Sequence, residues 1–436
     1  MARGLMIFTI VSIWISVFFS LITVFGAIKF LLKNLKPPKR ILEPLAEYPL
    51  VTIVVPAHNE EIVIKDTVQA VLRLNYPVNR LEILVFADNC TDNTYAEALS
   101  VKNLPQFAEH DIKVIERSGT GGKSGVLNDA LEQAKGDWLC VYDADAMPEQ
   151  NALYFLVKKA LEDKKRYAAV FGRNKTRNYK QNFLTRCINL EVVTTQRIQH
   201  TGLWELFKIG HIPGTNFIIQ KQYVKEIGGW DNGALTEDTA LSFKIMEQGK
   251  LIALAHQSEA FQQEPETINV YYHQRKRWAK GNYEVITGNL KHLFNRSNWR
   301  IKWEIFYYIN TFFWFNCAIV ISTLIFWANL IVMLLNTFDL NFQLPFTFGG
   351  GNRQIAAILL VNWGLMFAIY LLQINVALVS QYGQATTENF LYSVASYFTY
   401  SQLFLAVSVV AFFSLLFDRI LKRDGTKWYK TQRFND

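Results

Sequence analysis

Apolar residues are concentrated in a few long runs near the two ends of the chain. Leu5 to Leu32 is apolar except for Lys29, and Ile305 to Leu335, Ile355 to Ser380 and Phe390 to Phe417 are similar runs. Runs of this length can cross the hydrocarbon core of a bilayer, whereas the apolar core of a secretory signal is shorter. We therefore predict membrane-spanning helices at both ends of the chain.

Residues 50 to 275 have a different pattern, in which short β-branched runs alternate with amphipathic helical patterns. This alternation is typical of an α/β fold with a doubly wound parallel sheet. Ligands of such sheets bind beyond the carboxyl ends of the strands. The four predicted strands are Leu50–Pro56, Leu81–Ala87, Ile112–Glu116 and Trp138–Tyr142.

Charged and polar side chains of the kinds used in binding sites follow these strands. Because the carboxyl ends of parallel strands meet at one edge of a sheet, we expect these side chains to form one site. The residues at or just beyond the predicted strand ends are His58, Glu60, Asp88, Lys123, Asp143 and Asp145.

Asp143 and Asp145 are two carboxylates one residue apart, directly after a buried strand. Such a pair suits a hard divalent cation that shares its oxygen ligands with the phosphates of a substrate. The alternative is a surface turn, where aspartate is common. Taken alone, the motif does not decide between these two interpretations.

Two further motifs have a structural and a functional interpretation. The glycine-rich residues 119–125 lack the spacing of a P-loop, so they form either a flexible turn or a place where Lys123 offers a charge to a diphosphate. At Thr236-Glu237-Asp238 we expect a helix that begins at Thr236 or Asp238 and continues to Met246. The acids there either cap the helix, as its dipole favours, or supply a catalytic base.

The charge distribution supports a membrane protein rather than a nucleic-acid-binding one. The net charge is +8, but no nucleic-acid-binding motif is present, and many basic residues flank the apolar runs. The excess of basic residues after the first run places the region that follows it in the cytoplasm. The four cysteines are not spaced for zinc, so we interpret them as reduced thiols.

Residues 271 to 302 are basic with interleaved aromatics, a pattern that predicts helices lying on the membrane surface. The predicted organisation is 1–44 helix and linker, 45–270 α/β domain, 271–304 interfacial helices, 305–417 transmembrane helices and 418–436 basic tail. Four spans would place this tail outside, whereas its basic residues favour the inside. We expect one apolar segment, with Phe390–Tyr400 the candidate, to be interfacial instead.

Six short motifs, in this order, resemble those of the membrane-embedded family 2 glycosyltransferases, which include cellulose, hyaluronan and poly-N-acetylglucosamine synthases. The resemblance covers roughly residues 45 to 335, and its last motif fits the family's Gln-x-x-Arg-Trp pattern. It implies a GT-A nucleotide-sugar-binding fold with a mixed sheet. The motifs are Val-Pro-Ala-His-Asn-Glu-Glu (55–61), Ala-Asp-Asn-Cys-Thr-Asp-Asn-Thr (87–94), Gly-Lys-Ser-Gly-Val-Leu-Asn (122–128), Asp-Ala-Asp (143–145), Thr-Glu-Asp (236–238) and Gln-Arg-Lys-Arg-Trp (274–278).

The resemblance also implies roles for individual residues. Asp238, with Glu237 beside it, would act as the general base, and Asp145 with Asp143 would bind Mg²⁺ or Mn²⁺. Arg275, Lys276 and Lys280 match no motif position, and we expect them to meet lipid. The residues implied in nucleotide-sugar binding are Pro56, His58, Glu60, Asp88, Lys123, Asp143, Gln274, Arg277 and Trp278.

Three functions are compatible with this pattern. The first is a processive, inverting synthase that extends a β-linked polysaccharide, which aromatics within residues 306–315 would contact as it crosses the membrane. The second is a transferase that adds one sugar to a lipid acceptor, and the third is an inactive scaffold of the same fold. For an enzyme we expect a UDP-sugar donor, UDP-glucose or UDP-N-acetylglucosamine, and a bacterial plasma membrane. Any export pore or cyclic-dinucleotide regulation would come from an accessory subunit.

Overall fold

A computed structural model describes residues 2–34, 42–295, 297–338, 353–421 and 431–434 of the chain. An α/β domain lies between helical segments at the two ends. The strands are β1 Val51–Ala57, β2 Leu81–Asp88, β3 Asp111–Arg117, β4 Trp138–Val141, β5 Met147–Pro148, β6 Tyr167–Thr176, β7 Phe217–Gln220 and β8 Leu251–Gln262.

The helices connect the strands and form both ends of the chain. Short 3-10 helices lie at Val78–Arg80, Pro105–Phe107 and Leu290–Leu293, and π-helical turns at Thr195–His200 and Asn310–Phe315. The α-helices are α1 Ala2–Lys33, α2 Ile64–Leu72, α3 Thr94–Lys102, α4 Gly122–Gln133, α5 Ala152–Glu162, α6 Phe183–Thr194, α7 Thr201–Phe207, α8 Lys221–Glu226, α9 Glu237–Glu247, α10 Ile268–Asn289, α11 Trp299–Ile309, α12 Asn316–Thr337, α13 Arg353–Ser380, α14 Thr387–Phe398 and α15 Tyr400–Ile420.

The eight strands form one mixed sheet in the order β3-β2-β1-β4-β7-β6-β8-β5. β3, β2, β1 and β4 are parallel, as the alternation of strands and helices predicts. β7 is antiparallel to both β4 and β6, which makes the sheet mixed, as the family resemblance implies. A strand buried on both faces is continuously apolar whatever its direction, so the apolar Phe217–Ile219 could not reveal its orientation.

The parallel half of the sheet forms the centre of the domain core. Every residue of β2 is buried, and β1 is buried except at Pro56. Helices α2, α3 and α4 cover this half through apolar side chains such as Val68, Ala98 and Leu127. Because strands and helices bury each other here, the strand ends are held at fixed positions along one edge.

Helix α1 packs closely on the α/β domain through two glycines. A Cβ on Gly202 of α7 would lie 2.3 Å from the carbonyl oxygen of Thr23, and one on Gly26 would lie 2.7 Å from the carbonyl oxygen of Gly202. Lys33, at the end of α1, forms an ion pair with Glu205. Small residues at the contact let the two helix backbones approach, which fixes α1 against the domain.

Within the described residues, four helical segments are long and apolar enough to span a membrane: Ile7–Lys33, Trp299–Thr337, Leu360–Ser380 and Tyr400–Ile420. The apolar run from Phe390 is not one helix, because Thr399, between α14 and α15, is not helical. α14 has 12 residues, fewer than a helix needs to cross the hydrocarbon core of a bilayer.

Both ends of the α14–α15 segment contact the α/β domain or helix α10. Ahead of α14, Gln381 accepts hydrogen bonds from two arginines of the domain. The hydroxyl of Tyr400, at the start of α15, hydrogen-bonds Glu191. At the far end of α15, Asp418 forms an ion pair with Lys280 of α10 at 2.7 Å. Between these ends α15 packs along α10, where Ala411 and Leu415 lie against Ala279 and Tyr283.

Two basic residues of α10 do not face outward, contrary to the expectation that they meet lipid. Arg275 is buried and pairs with Glu191 of α6 at 3.1 Å, and Lys280 is buried and pairs with Asp418. Lys276 is partly exposed, with its ammonium 5.8 Å from the ring centre of Tyr272. A basic surface pattern does not reveal that distant helices supply acidic partners, which explains the error.

Candidate active site

The two aspartates of the Asp-x-Asp motif lie in the turn directly after β4. The backbone N–H of Asp143 donates to Thr215 Oγ1 at 2.9 Å, which ties this turn to the loop before β7. Asp145 is 3% exposed, and burial raises the pKa of its carboxyl group, with Arg433 opposing this. The motif is thus an anchored part of the sheet edge rather than an exposed surface turn.

Lys123 connects this turn to the start of α9. Its Nζ lies 2.6 Å from Asp143 and 3.4 Å from Glu237, and it donates to the carbonyl oxygen of Gly214 at 2.7 Å. Burial alone would lower the pKa of Lys123, but the two carboxylates raise it overall, so the side chain stays charged. The glycine-rich segment places Lys123 in the first turn of α4, which begins at Gly122 after Gly121 in the left-handed conformation.

Asp238 lies in the first turn of α9, on the other side of Lys123. Thr236 precedes the helix but its side chain makes no capping hydrogen bond, whereas Asp238 Oδ1 accepts from the N–H of Thr239 at 2.7 Å. Burial and the neighbouring Glu237 raise the pKa of Asp238 to about 6, although Lys123 opposes this. A carboxyl group with such a pKa is ionised near neutral pH and can accept a proton.

The Gln-x-x-Arg-Trp motif lies on α10, next to the start of α9. Arg277 Nη1 donates to the carbonyl oxygen of Leu235 at 3.4 Å, close to the acidic residues of α9. Gln274 is buried, and within the described residues its Oε1 has no hydrogen-bond partner. Trp278 lies against Arg275, whose guanidinium is 4.4 Å from a ring centre of the tryptophan.

A second group of residues surrounds the ends of β1 and β2. His58 Nδ1 is 2.7 Å from the carbonyl oxygen of Asp88, which orients the imidazole. The carboxylate of Asp88 pairs with Arg117 at 2.6 Å, and the guanidinium also binds Asp129 at 2.6 Å. Pro56 is half-buried within β1. Sequence reasoning missed Arg117, although its position at the end of β3 follows the same rule that identified the others.

The end of the chain enters this site. Arg433 Nη1 lies 2.8 Å from Asp145, and its Nε lies 2.8 Å from Glu60. Gln263 fixes the neighbouring backbone, since it donates to the carbonyl oxygen of Phe434 at 2.6 Å and accepts from its N–H at 2.9 Å. Sequence reasoning did not identify Arg433 as a site residue. Its contacts place residues 431–434 on the same side of the molecule as the strand ends.

Asp143 and Asp145 are the carboxylates at the sheet edge that could hold a divalent cation together with a substrate. No group of three or more metal-binding side chains occurs in the part of the chain that the structure describes. Asp143 and Asp145 supply two carboxylates, and the guanidinium of Arg433 already places a positive charge on Asp145. A cation held by two carboxylates keeps positions for phosphate oxygens, as Mg²⁺ sites commonly do.

The structure thus brings most of the candidates to one edge of the sheet, in two neighbouring groups. The Asp-x-Asp turn connects the two groups, because Asp143 pairs with Lys123 of the first group and Asp145 pairs with Arg433, which also binds Glu60 of the second. Lys123, Asp143, Glu237, Asp238 and Arg277 form the first group, and His58, Glu60, Asp88 and Asp145 form the second. Gly214 also belongs to the site, since a Cβ there would lie 3.0 Å from Asp238 Oδ2.

Comparison with known proteins identifies the family. The model of Glycosyl transferase family 2 matches residues 52–228, which hold the strand-end residues and the Asp-x-Asp motif. A protein from Bacillus subtilis described as the probable glycosyltransferase YdaM is 33% identical over 435 residues, which cover 100% of this chain and 99% of that protein. The chain therefore belongs to the family 2 glycosyltransferases, as the ordered motifs predicted.

Other relatives differ in the acceptors that their names imply. A beta-monoglucosyldiacylglycerol synthase from a Nostoc species is 32% identical over 61% of this chain and 56% of its own length. A poly-beta-1,6-N-acetyl-D-glucosamine synthase from Staphylococcus epidermidis is 28% identical over 62% of this chain and 64% of its own length.

A solved structure confirms the fold class. The mannosyltransferase PcManGT from Pyrobaculum calidifontis, in complex with GDP-Man and Mn²⁺, matches with a TM-score of 0.59 at 17% identity. The match covers 91% of this chain and 99% of that one. The prediction of a GT-A-like α/β domain with a mixed sheet and additional long apolar helices is therefore confirmed.

Proposed function

We propose that the chain transfers a sugar from a UDP-sugar to an acceptor hydroxyl by a single inverting displacement. One observation carries this proposal: Lys123 bridges Asp143 of the Asp-x-Asp turn and Glu237 at the start of α9. The first element would hold the charged end of the donor. The second would place a carboxylate beside the sugar, where the acceptor arrives.

Asp238 would be the catalytic base. Its carboxylate takes the proton of the acceptor hydroxyl while the acceptor oxygen bonds to the anomeric carbon of the donor. The bond from that carbon to the diphosphate breaks on the opposite face, so an α-linked donor gives a β-linked product. Glu237 would act through Lys123, whose charge it shares with Asp143.

Positive charge near the leaving diphosphate would complete the site. Lys123 and Arg277 both lie close enough to Asp238 to lower its pKa, and both would favour the negative charge that develops as the bond breaks. Asp143 and Asp145 would hold Mg²⁺ or Mn²⁺, which neutralises the diphosphate charge when bound. PcManGT, a relative in fold, was solved with Mn²⁺ and a nucleotide sugar.

The residues around β1 and β2 would bind the nucleoside part of the donor. Glu60 and Asp88 are buried carboxylates that could accept hydrogen bonds from the uracil and the ribose, and His58 and Pro56 border the same edge. Gln274 and Trp278 would close over the nucleotide and the acceptor. UDP-glucose and UDP-N-acetylglucosamine are the donors we propose.

For the product we propose a β-linked polysaccharide, extended by repeated transfer and passed across the membrane. The similarity to a poly-beta-1,6-N-acetyl-D-glucosamine synthase supports this choice.

Single transfer to a membrane lipid is the second candidate. The similarity to a beta-monoglucosyldiacylglycerol synthase supports it. The aromatic residues that a translocating glycan would contact also pack on each other: Tyr308 stacks on Phe312 with ring centres 5.6 Å apart, and Phe313 lies 5.1 Å from Tyr283. Rings engaged in this way present less surface to sugars.

We further propose that the α/β domain is cytoplasmic and that three segments cross the plasma membrane of a bacterium. These are Ile7–Lys33, Trp299–Thr337 and Leu360–Ser380. The α14–α15 segment would stay on the cytoplasmic side, since both of its ends contact the domain or α10. This arrangement places the basic tail inside and removes the conflict in the span count.

The proposal is tested by two neutral substitutions, Asp145→Asn and Asp238→Asn, in full-length protein. We expect each variant to fold and to lose transfer from labelled UDP-sugars by at least about a hundredfold. Asp66→Asn, on the exposed side of α2, is the matched control and should keep full activity. Unchanged activity in either site variant would refute the proposed chemistry, and an inactive native protein with every donor would favour the scaffold alternative.

A further inference from the structure

Two arginines are buried side by side where α13 ends on the α/β domain. Arg173 of β6 is 5% exposed and Arg197 is 9% exposed. Both donate to the same amide oxygen, Gln381 Oε1, at 2.6 and 2.8 Å. Because an amide oxygen has no net charge, it satisfies hydrogen bonds without neutralising either guanidinium.

The carboxylates near this pair do not balance its charge. Glu259 pairs with Arg173, but the same carboxylate also pairs with Lys175. Glu149 pairs with Lys175 at 3.2 Å and shares a side-chain hydrogen bond with Glu259. Among the described residues Arg197 forms no ion pair, and burial together with Arg173 lowers its pKa to about 9. A buried charge without a counterion is unfavourable, so an anion at this position would stabilise it.

A cavity of about 70 Å³ adjoins both arginines. It has room for several water molecules and therefore for a small anionic group. Lys175, Asn189 and Gln384 line it as well, and Asn189 Nδ2 donates to Gln384 Oε1 at 2.9 Å. Guanidinium groups match the oxygens of a phosphate in geometry and charge.

The position of the cavity indicates where such an anion would come from. The apolar segment Leu360–Ser380 ends one residue before Gln381, so the cavity lies where that segment meets the α/β domain. Basic pockets at the cytoplasmic end of membrane helices suit the headgroups of anionic lipids. Arg197 also lies on the π-helical turn Thr195–His200, and such turns are frequent at functional sites.

The geometry points to a binding site for a phosphate group, formed by Arg173, Arg197 and Lys175 and separate from the donor site. An anionic phospholipid at the membrane boundary or free phosphate would supply this group. Bound phosphate would hold α13 against the α/β domain by bridging β6, the π-helical turn and the end of the helix.

Ligand-dependent unfolding of the purified full-length protein in neutral detergent tests this site without any sugar donor. Phosphatidylglycerol, phosphatidylcholine and inorganic phosphate are titrated separately while the unfolding midpoint is followed. We expect phosphatidylglycerol, or inorganic phosphate if the source is free phosphate, to raise the midpoint, and phosphatidylcholine to have no such effect. Equal responses to both lipids with no response to phosphate would overturn the inference.

Substitutions locate the effect. Arg197→Gln should weaken the response to the active ligand about tenfold or more, since it removes a charge-assisted contact, and Arg197→Lys should retain part of it. Lys102→Gln removes one exposed charge on α3 and should change nothing. An unaltered response in folded Arg197→Gln protein would show that the arginines are only a structural anchor for α13.

A second measurement uses the native protein, in case Arg197→Gln does not fold. Photoreactive phosphatidylglycerol is crosslinked in nanodiscs, with and without competing inorganic phosphate, and the modified peptides are identified by mass spectrometry. Crosslinks within residues 173–197 or 381–384 that competitor removes would support the site. Crosslinks confined to other segments, together with no response to inorganic phosphate in the unfolding titration, would contradict it. Failure of either test leaves the proposed transfer reaction unaffected, because neither measures sugar transfer.

Discussion

Replacing Lys123 by methionine removes one positive charge from the centre of the site and keeps a side chain of similar length. Lys123 Nζ is 2.6 Å from Asp143 and 3.4 Å from Glu237. It also lies close to the proposed base, because a Cβ on Gly214 would be 3.0 Å from Asp238 Oδ2 and 3.6 Å from Nζ. Those two atoms are therefore at most about 7 Å apart.

The expected effect is a change in the pH dependence of the reaction. At about 7 Å and an effective dielectric constant of about 20, the attraction between the two charges is roughly 2 kcal/mol, or between one and two pKa units. Lys123 opposes the rise that burial and Glu237 impose on the pKa of Asp238, which is about 6. Loss of Lys123 raises this pKa further. The base must be ionised, so activity should fall at a pH about one unit higher than in the native protein.

The assay is sugar transfer from a labelled UDP-sugar at a series of pH values, with kcat/KM plotted on a logarithmic scale. The native protein should lose activity as the pH falls through about 6, and Lys123→Met as it falls through about 7. The variant will also be slower, because a charge near the diphosphate is missing. The readout is therefore the pH at which log kcat/KM begins to fall on the acidic side, called the acidic limb, and not the maximum value of kcat/KM. Lys123→Arg keeps the charge and should keep the native limb. An unshifted limb in Lys123→Met would refute the electrostatic coupling between Lys123 and Asp238.

Three further predictions concern residues that the sequence did not single out for these roles. Arg433→Ala should raise the affinity for Mn²⁺ with UDP about tenfold in titration calorimetry, because the buried carboxylates lose a competing cation; an unchanged affinity would show that the contact does not compete. Gly214→Ala should reduce transfer severely and destabilise the protein by about 1–2 kcal/mol, since φ is +81° and the new Cβ meets the carboxylate of the proposed base, Asp238. Gly288→Ala, where nothing lies within 4 Å, is its control for both activity and thermal unfolding. Arg275→Gln should cost about 2 kcal/mol in thermal unfolding, because the partly buried Glu191 loses its cation and keeps the hydrogen bond from Tyr400, and adding Glu191→Gln should recover much of that loss.

The parts of the fold and the site that depend on local pattern could be predicted. Strand endings are visible in the sequence, and parallel strands bring their carboxyl ends together, so Asp88 and Asp143 could be placed at one edge. The order of the motifs then added Asp238 and Arg277 through the family resemblance. The direction of β7 could not be predicted, because a strand buried on both faces carries no signal of orientation.

Contacts between distant segments could not be predicted from pattern. Arg433 reaches Glu60 across 373 positions of sequence, and neither residue carries a local sign of the other. Arg275 belongs to a basic segment with the composition of a membrane-surface helix, and its acidic partner lies on α6. Tertiary packing decides which charges of an amphipathic helix are buried, and these long-range contacts cannot be inferred from the local pattern of a single sequence.

The most direct test of the account is the product made by the purified protein in lipid nanodiscs. Labelled UDP-glucose and UDP-N-acetylglucosamine are offered in turn with Mg²⁺ or Mn²⁺, and the product is sized before and after digestion with β-specific glycosidases. The account predicts a long polymer from one donor that these enzymes degrade and that Asp238→Asn protein does not make. A label found only in an extractable lipid would contradict processive synthesis. An α-linked product, or no transfer from any nucleotide sugar, would contradict the inverting glycosyltransferase itself.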